Sequence, residues 1–224
     1  MGEIESNFEA IIPVMNIDLC NILLKSIEEN TLLPKRIIII DNTEESYNPI
    51  SSKFPIDIYY SQTKTVNESI NLGISKLSDC DFVSILNDDV ILGSWFFERI
   101  AKVLNTMINC CVLCPHIIVD PTKLPLIEGK EEIVPMTKRE GCAFTVKKYI
   151  IDAVPPIPDE RIKIFHGDDW IWYWTAKTGK IWCKDMGNFV FHKVGSSILR
   201  LGFRKVKRPE REEYRKIIKE IESK

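Results

Sequence analysis

Three polar residues, Asn87, Asp88 and Asp89, stand directly after the apolar run Phe82–Leu86. An apolar run of this length is typical of a buried strand, so the triplet should lie where the strand leaves its sheet. In open α/β sheets, ligands bind along the rim outside the carboxyl ends of the strands. Two adjacent carboxylates repel each other there, and a divalent cation bound to a phosphate would compensate their charge. Asn and Asp are also common in turns, so the triplet alone leaves a turn and a metal site as equal alternatives.

A second acidic pair, Asp168 and Asp169, precedes the aromatic segment Trp170–Lys177, which has the pattern of a helix. Carboxylates are favoured at the start of a helix both as caps and by the helix dipole. We therefore expect one of the two to cap the helix and the other to act chemically. His192 closes a late apolar run, where it is either a metal ligand or a satisfied structural histidine.

Strands and helices alternate through the first half of the sequence. Apolar, β-branched runs predict strands at 10–14, 36–40, 56–60 and 82–86, and apolar residues at helical spacing predict helices between them. This order favours a mostly parallel central sheet with right-handed crossovers, flanked by helices in one α/β domain. Predicted helix starts are a cap at Asn16 or Asp18, a capping box at 65–68, a Ser94 cap, and a final helix from about Pro209 to Glu222.

Polar residues follow several of these strands. Pro13 and Asn16 follow the first strand, Asp41 follows the second, the triplet follows the fourth, and His192 closes a late one. Parallel strands would bring their ends to one edge of the sheet, which predicts a nucleotide-sized crevice with an acid for a base or ribose. The chain lacks the glycine-rich loops that bind phosphate in other α/β folds, so a metal should neutralise most of the phosphate charge.

The sequence resembles the family-2-type glycosyltransferases with the glycosyltransferase-A fold. Seven segments carry the resemblance, in the order of that family, over roughly residues 9–200. They are Ile12–Asn16, Ile39–Asn42, Asn67–Gly73, Leu86–Val90, Gly141–Phe144, Gly167–Asp169 and His192–Ser197. The resemblance implies a Rossmann-like catalytic domain over 1–208, with a nucleotide half at about 9–92 and an acceptor half at about 93–208. A C-terminal helix over 209–224 would follow.

The resemblance also implies roles for individual residues. Asn87 stands in the first acidic position of the family's Asp-x-Asp metal motif, which removes one charge from the expected site. Mixed oxygen and imidazole ligands suit Mn²⁺, with Mg²⁺ as the alternative. The implied donor-binding residues are Pro13, Val14, Asn16, Asp41, Asn71, Asn87 and Asp88, the metal ligands are Asp89 and His192, and the catalytic base is Asp169, with Asp168 second.

The implied activity is metal-dependent transfer of a sugar from a nucleoside-diphosphate sugar, with a UDP- or dTDP-sugar favoured, to a hydroxyl of a glycan or other acceptor. Displacement by that hydroxyl would invert the anomeric centre. Two alternatives stay open. Nucleotidyl transfer would use Asp88, Asp89 and Asp168 to hold two metals, and the missing phosphate loop counts against it. An inactive sugar-nucleotide-binding module is supported by Asn87.

Composition narrows the classes of protein further. The chain has 224 residues, is 45% hydrophobic and carries a net charge of −2, which suits one compact domain and gives no basic field for nucleic acid. It shows no signal peptide and no apolar run of the ~18 residues that a spanning helix needs, although peripheral membrane contact stays open. Seven scattered cysteines predict reduced thiols in a cytoplasmic protein, with Cys111 and Cys114 as buried hydrophobes rather than metal ligands.

One basic stretch, Lys193–Arg208, contains six basic residues and no acidic one. It is either a segment that meets the diphosphate or a phosphorylated acceptor, or a solvated loop. The solvated loop is the simpler interpretation from sequence.

Overall fold

The structure is a computed structural model that describes residues 7–43, 47–48, 53–118, 120–126, 131–137, 140–193 and 203–223. Within those residues, nine strands form a single sheet with six α-helices and one 3-10 helix, Pro121–Leu126. The strands are β1 (Phe8–Val14), β2 (Arg36–Asp41), β3 (Ile56–Tyr60), β4 (Phe82–Leu86), β5 (Val90–Leu92), β6 (Cys110–Ile118), β7 (Ile133–Pro135), β8 (Ala143–Lys147) and β9 (Ile181–His192). The helices are α1 (Ile17–Glu28), α2 (Val66–Ser75), α3 (Phe96–Thr106), α4 (Lys148–Ala153), α5 (Gly167–Lys177) and α6 (Phe203–Glu222).

The sheet is parallel in its first half and mixed in its second. Its strand order is β3-β2-β1-β4-β8-β6-β9-β5, with β7 also paired to β9. The first four strands pair in parallel, as the alternation of strands and helices predicts. Strand β8 then runs antiparallel to both β4 and β6, and only the β6–β9 pair of the second half is parallel. No α-helix is described between β6 and β8, and antiparallel neighbours need no helical crossover.

The strands bury side chains on both faces of the sheet. Successive side chains of a strand point to opposite faces, so each strand contributes to two cores. Ile12 of β1 joins the core under α1 and α3, whereas Ile11 joins the core under α2, α4, α5 and α6. This arrangement explains the unbroken isoleucine run Ile37–Ile40, which would be costly on a sheet with one face in water.

The predicted start of α1 is confirmed, because the Asn16 side chain accepts the Leu19 N–H at 3.2 Å. The predicted capping box of α2 is wrong. Thr65 makes no side-chain cap, and Glu68 instead accepts hydrogen bonds from the preceding loop, Ser61–Thr63. The hydrogen-bond donors of that loop occupy the Glu68 carboxylate in place of the Thr65 N–H. The spacing of Thr65 and Glu68 in the sequence does not reveal these contacts.

The predicted Ser94 cap is also wrong, because α3 begins at Phe96 after Trp95 and has no side-chain cap. Helix α6 differs as well, since it begins at Phe203 and contains Pro209 in its interior. Proline inside a helix removes one backbone hydrogen bond. For this reason the sequence pattern predicted that the helix begins at Pro209. The part of the helix after Pro209 is fixed by tertiary contacts: Ile217 is buried, and Arg161 pairs with the carboxylates of Glu213 and Glu220.

All seven cysteines are free and buried, and Cys111 and Cys114 lie in the core on β6, as predicted for small apolar residues. Among the described helices, none combines the length and the apolar character that crossing a membrane requires.

Candidate active site

The carboxyl ends of β1 and β4 are neighbours in the sheet and are joined by Asp88. Its Oδ2 accepts the backbone N–H groups of Met15 and Asn16, both at 2.7 Å. Asp88 is only 3% exposed, so two donors within a partly buried site stabilise its charge. Asp88 therefore fixes the residues after β1 against the polar triplet after β4.

The Asp89 side chain contacts the side chain of His192, which ends β9. Strand β5 pairs antiparallel with β9 and sets Val90 opposite His192, which brings the Asp89 Oδ1 to 3.1 Å from the His192 Nε2. Burial alone would lower the pKa of His192, but hydrogen bonds to Asp89 and Cys142 outweigh it and raise that pKa to about 10. Near neutral pH, the two side chains therefore form an ion pair in the absence of metal.

The Asp89–His192 pair offers a carboxylate and an imidazole as possible ligands of a cation. Within the described residues, no group of three or more histidine, cysteine, aspartate or glutamate side chains converges to hold a metal. Magnesium-type sites, however, commonly use one or two carboxylates and take further oxygens from substrate phosphates and water. One carboxylate and one imidazole fit a site that is completed by a bound diphosphate, and the imidazole must lose its proton for this.

A cavity of about 340 Å³ lies beside these groups, at the carboxyl ends of β1 and β4. We call it the donor-side cavity. Its lining contains Pro13, Asn87, Asp88, Asp89, Asp168 and His192, which were all singled out from the sequence, together with Met15, Val66, Asn67, Ile70, Ile85, Gly141, Cys142, Phe144, Ile164, Phe165, His166, Gly167 and Lys207.

Val14 and Asn16, two predicted donor-binding residues, have other contacts. Val14 is fully buried in the core, and its carbonyl accepts the N–H of Asn42. The Asn16 side chain caps α1. Neither lines the donor-side cavity. Their effect on the site is through the backbone, which presents the Asn16 N–H to Asp88.

Asp41 and Asn71 also lie outside the lining of that cavity. Asp41 accepts the N–H groups of Thr43 and Tyr47 at 2.8 and 3.2 Å, so its carboxylate orders the loop after β2. The Asn71 amide bonds the backbone of Ile157 in both directions and also reaches the Asp159 carboxylate. Contact of either residue with a nucleotide stays a prediction.

The acidic pair opens α5, but neither aspartate caps the helix, contrary to the sequence expectation. The N-cap position is held by His166, whose φ of 68° lies in the left-handed region, with no side-chain cap. Such a backbone is uncommon for a residue other than glycine and clusters at functional sites. His166 Nδ1 instead hydrogen-bonds the Asp169 carboxylate, and the Tyr214 hydroxyl donates to the Asp169 carbonyl at 3.0 Å.

At Gly141 and Gly167, a side chain would collide with Asp168 and Asn67, respectively. A Cβ on Gly141 would stand 2.6 Å from the Asp168 Oδ2, and a Cβ on Gly167 would stand 2.3 Å from the Asn67 Oδ1. That Asn67 oxygen is buried without a hydrogen-bond partner. Any side chain at Gly141 would therefore displace the Asp168 carboxylate.

A second cavity, of about 470 Å³, adjoins the first, and we call it the acceptor-side cavity. Phe165, His166, Asp168 and Lys207 line both cavities. The acidic pair therefore lies where the two cavities meet. The lining of the acceptor-side cavity consists of Thr137, Phe165, His166, Asp168, Asp169, Lys207, Arg211, Tyr214 and Arg215.

Sequence reasoning missed His166 and the face of α6 that carries Arg211 and Arg215. The available signal for His166 was its position beside the acidic pair. The signal for α6 was a basic residue at every fourth position from Lys207, which places the side chains on one helix face. The motif residues 194–197 and Arg200 lie outside the described residues.

Comparison with solved structures identifies the architecture. The crystal structure of GalNAc-T7 with UDP, GalNAc and Mn²⁺ superposes with a TM-score of 0.64, and that of S. aureus TarS 1–349 with a TM-score of 0.63. Both neighbours are glycosyltransferases with this fold. The chain has the glycosyltransferase-A fold.

Sequence identity to these two glycosyltransferase-A proteins is low, at 11% and 12%. The GalNAc-T7 match covers 84% of this chain and 43% of that chain, and the TarS match covers 92% and 65%. The chain thus spans less than two thirds of the length of either neighbour. No protein-family model and no curated protein sequence matches it.

Proposed function

We propose that this chain is a glycosyltransferase that moves a sugar from a nucleoside-diphosphate sugar to an acceptor hydroxyl, with inversion. The observation that carries the proposal is the position of the Asp168–Asp169 pair between two cavities, one of which also contains Asp89 and His192. A carboxylate between donor and acceptor can accept the proton of the attacking hydroxyl and so accelerate a displacement reaction. The UDP, GalNAc and Mn²⁺ bound to GalNAc-T7 support a UDP-sugar or a related donor.

The donor-side cavity would hold the nucleotide and the sugar. Its volume of about 340 Å³ falls within the ~300–1,000 Å³ typical of ligand sites. The side chains of Pro13, Met15, Val66 and Ile70 provide an apolar wall for a base. Asp88, through the backbone after β1, would keep that wall in register with the polar triplet.

Asp89 and His192 would hold Mn²⁺ or Mg²⁺ together with the donor diphosphate. When bound, such a cation stabilises the negative charge that grows on the diphosphate as the glycosidic bond breaks. His192, whose pKa is raised to about 10, has to release its proton to the solvent before it can coordinate, so metal-dependent donor binding is expected to weaken progressively as the pH falls below about 10.

The acidic pair would supply the base, with Asp169 first. The acceptor oxygen forms a bond to the anomeric carbon while the bond from that carbon to the diphosphate oxygen breaks, and the hydroxyl proton passes to the carboxylate. General base catalysis of this kind contributes about 10²–10⁴ in rate. His166 would orient the Asp169 carboxylate through its Nδ1. Asp168, which lines both cavities, is the second candidate for the same role.

The test is a screen of nucleotide sugars for release of free sugar with and without Mn²⁺. We expect metal-dependent hydrolysis of at least one UDP- or dTDP-sugar, and its loss in Asp89→Ala. The matched control is Asp152→Ala, which removes an exposed carboxylate of α4 outside both cavities. Pyrophosphate release from a nucleoside triphosphate would establish nucleotidyl transfer instead. Tight donor binding without turnover would establish the inactive binding module.

A further inference from the structure

The acceptor-side cavity has a cationic wall that the proposed transfer reaction does not use. Lys207, Arg211 and Arg215 lie four residues apart on α6, and all three line the cavity. Residues at this spacing share one face of a helix. The wall is therefore built by a single element.

Helix α6 is anchored so that this face points into the cavity. The buried Glu210 carboxylate accepts backbone N–H groups of three successive residues, Lys163–Phe165. Arg161 pairs with Glu213 and Glu220. Glu210, Glu213 and Glu220 thus attach the helix to the segment before α5, whereas Lys207, Arg211 and Arg215 line the cavity.

Arg211 and Arg215 differ from the other arginines whose side chains the structure describes. Each of the others, Arg36, Arg99, Arg161 and Arg208, is paired with a carboxylate. Within the described residues, Arg211 and Arg215 have neither an ion pair nor a hydrogen bond. Two guanidinium groups on one cavity wall without carboxylate partners match the fork geometry that phosphate and carboxylate groups accept.

The acceptor-side cavity shares lining residues with two neighbouring cavities. It shares Asp168 and Lys207 with the donor-side cavity at one end. At the other end it shares Tyr214 and Arg215 with a more apolar groove between α5 and α6. Lys207 thus lines both cavities together with Asp168, whereas Arg211 and Arg215 line the acceptor-side cavity and not the donor-side cavity.

We infer that the acceptor carries an anionic group, a phosphate or a carboxylate, which Arg211 and Arg215 bind while the reacting hydroxyl faces the acidic pair. The identity of the acceptor class rests on the proposed transfer function, whereas binding of the anion does not. Neutral glycans would leave the two guanidinium groups without a partner. The anion would belong to the acceptor because both arginines line this cavity and not the donor-side cavity.

The first experiment titrates the protein with inorganic phosphate and with glycerol 3-phosphate, followed by ³¹P NMR. We expect saturable binding, weakened about tenfold in each of Arg211→Gln and Arg215→Gln, since a charge-assisted hydrogen bond contributes on that scale. The matched control is Arg208→Gln, on the same helix but outside the cavity lining, which should bind as the wild type does. Absence of binding, or binding that both cavity variants retain in full, would overturn the inference.

The second experiment compares acceptors with an active donor. Phosphorylated sugars, lipid-linked phosphates and carboxylated sugars are each paired with their neutral counterparts, which identifies the source of the anion. We expect a KM at least tenfold lower for an anionic acceptor, and loss of that preference in Arg211→Gln and Arg215→Gln. Equal use of neutral acceptors would refute the inference and leave the transferase proposal standing. Phosphate binding at the arginines without hydrolysis of any donor would support anion binding at this cavity and count against the transferase proposal.

Discussion

At the scale of residues, the proposed reaction depends on two neighbouring carboxylates with different surroundings. Asp169 is held by His166 and lines the acceptor-side cavity alone, whereas Asp168 packs over Gly141 and lines both cavities. The two residues follow each other in the chain, yet the first turn of α5 sends their side chains in different directions. Their roles can therefore be separated by single substitutions.

Asp169→Asn removes the proposed base with almost no change in shape. We expect transfer to fall by about 10²–10⁴, because the amide cannot accept the hydroxyl proton, while donor affinity stays at the wild-type value. Single-turnover rates and donor titrations measure the two quantities separately. If Asp169→Asn transfers at the wild-type rate and Asp168→Asn does not, the base is Asp168.

Gly141→Ala tests the packing of Asp168. The new Cβ would stand within 3 Å of three Asp168 atoms, including its Cβ, so the side chain has to move. We expect a loss of activity larger than the loss of stability, since the methyl group displaces a site residue and not a core residue. Activity and thermal unfolding of the same preparation measure this. Wild-type turnover in Gly141→Ala would show that the position of Asp168 is unimportant.

The sequence indicates where side chains of chemically active types stand, but it does not indicate which residues support them. Asn87, Asp88, Asp89 and His192 were found because each follows an apolar run, and the structure brings all four to one cavity. His166 was not found, because its left-handed backbone and its bond to Asp169 are properties of the folded chain.

At the scale of elements, α6 is the part that the sequence described least well. Its attachment depends on Glu210, whose carboxylate accepts the N–H groups of the segment that leads into α5. That contact joins residues 45 positions apart, and the pairs of Arg161 with Glu213 and Glu220 span 52 and 59 positions. Local patterns contain no information on such distant contacts, and they predicted a helix start at Pro209 because proline is favoured in the first turn of a helix, whereas α6 begins at Phe203.

Glu210→Gln weakens this attachment. The amide nitrogen cannot accept a hydrogen bond, so at least one part-buried N–H loses its partner, at a cost of about 1 kcal/mol in the free energy of unfolding. Chemical denaturation of the variant measures the change. Glu212→Gln is the control, because Glu212 is exposed and pairs only with the exposed Arg208, a contact worth about 0–1 kcal/mol. Equal effects of the two substitutions would contradict the assigned role of Glu210.

At the scale of the whole molecule, the first half of the sheet follows from sequence and the second half does not. Alternating strand and helix patterns define β1 to β4, because parallel neighbours need those crossovers. The antiparallel pairing of β4 with β8 joins segments about 60 residues apart and leaves no mark on local periodicity. The isoleucine run of β2, in contrast, predicts from the sequence that both faces of the sheet are buried.

The parallel half also predicts a dependence of stability on pH. Glu9 of β1 is fully buried and bonds Arg36 of β2 and Ser78. Burial alone would raise the pKa of Glu9, yet the hydrogen bonds from Arg36 and Ser78 outweigh it and hold that pKa below its ordinary value. A carboxyl with a lowered pKa in the folded state stabilises above the unfolded pKa of about 4.3, and this contribution is lost as the pH falls through the folded pKa.

We therefore expect the free energy of unfolding to decrease from neutral pH toward pH 3, and to decrease less steeply in Glu9→Gln. Denaturant unfolding at several pH values measures both curves. The variant should be less stable than the wild type at pH 7, because Arg36 loses its charged partner there. Parallel curves would show that Glu9 does not contribute to the pH dependence.

The most direct test of the central claim is a crystal of the protein with UDP and Mn²⁺, with diffraction recorded at the manganese absorption edge. The account predicts one anomalous peak beside Asp89 and His192, with the nucleotide in the donor-side cavity and its diphosphate next to the peak. Nucleotide bound elsewhere, or a manganese peak that neither Asp89 nor His192 contacts, would contradict it.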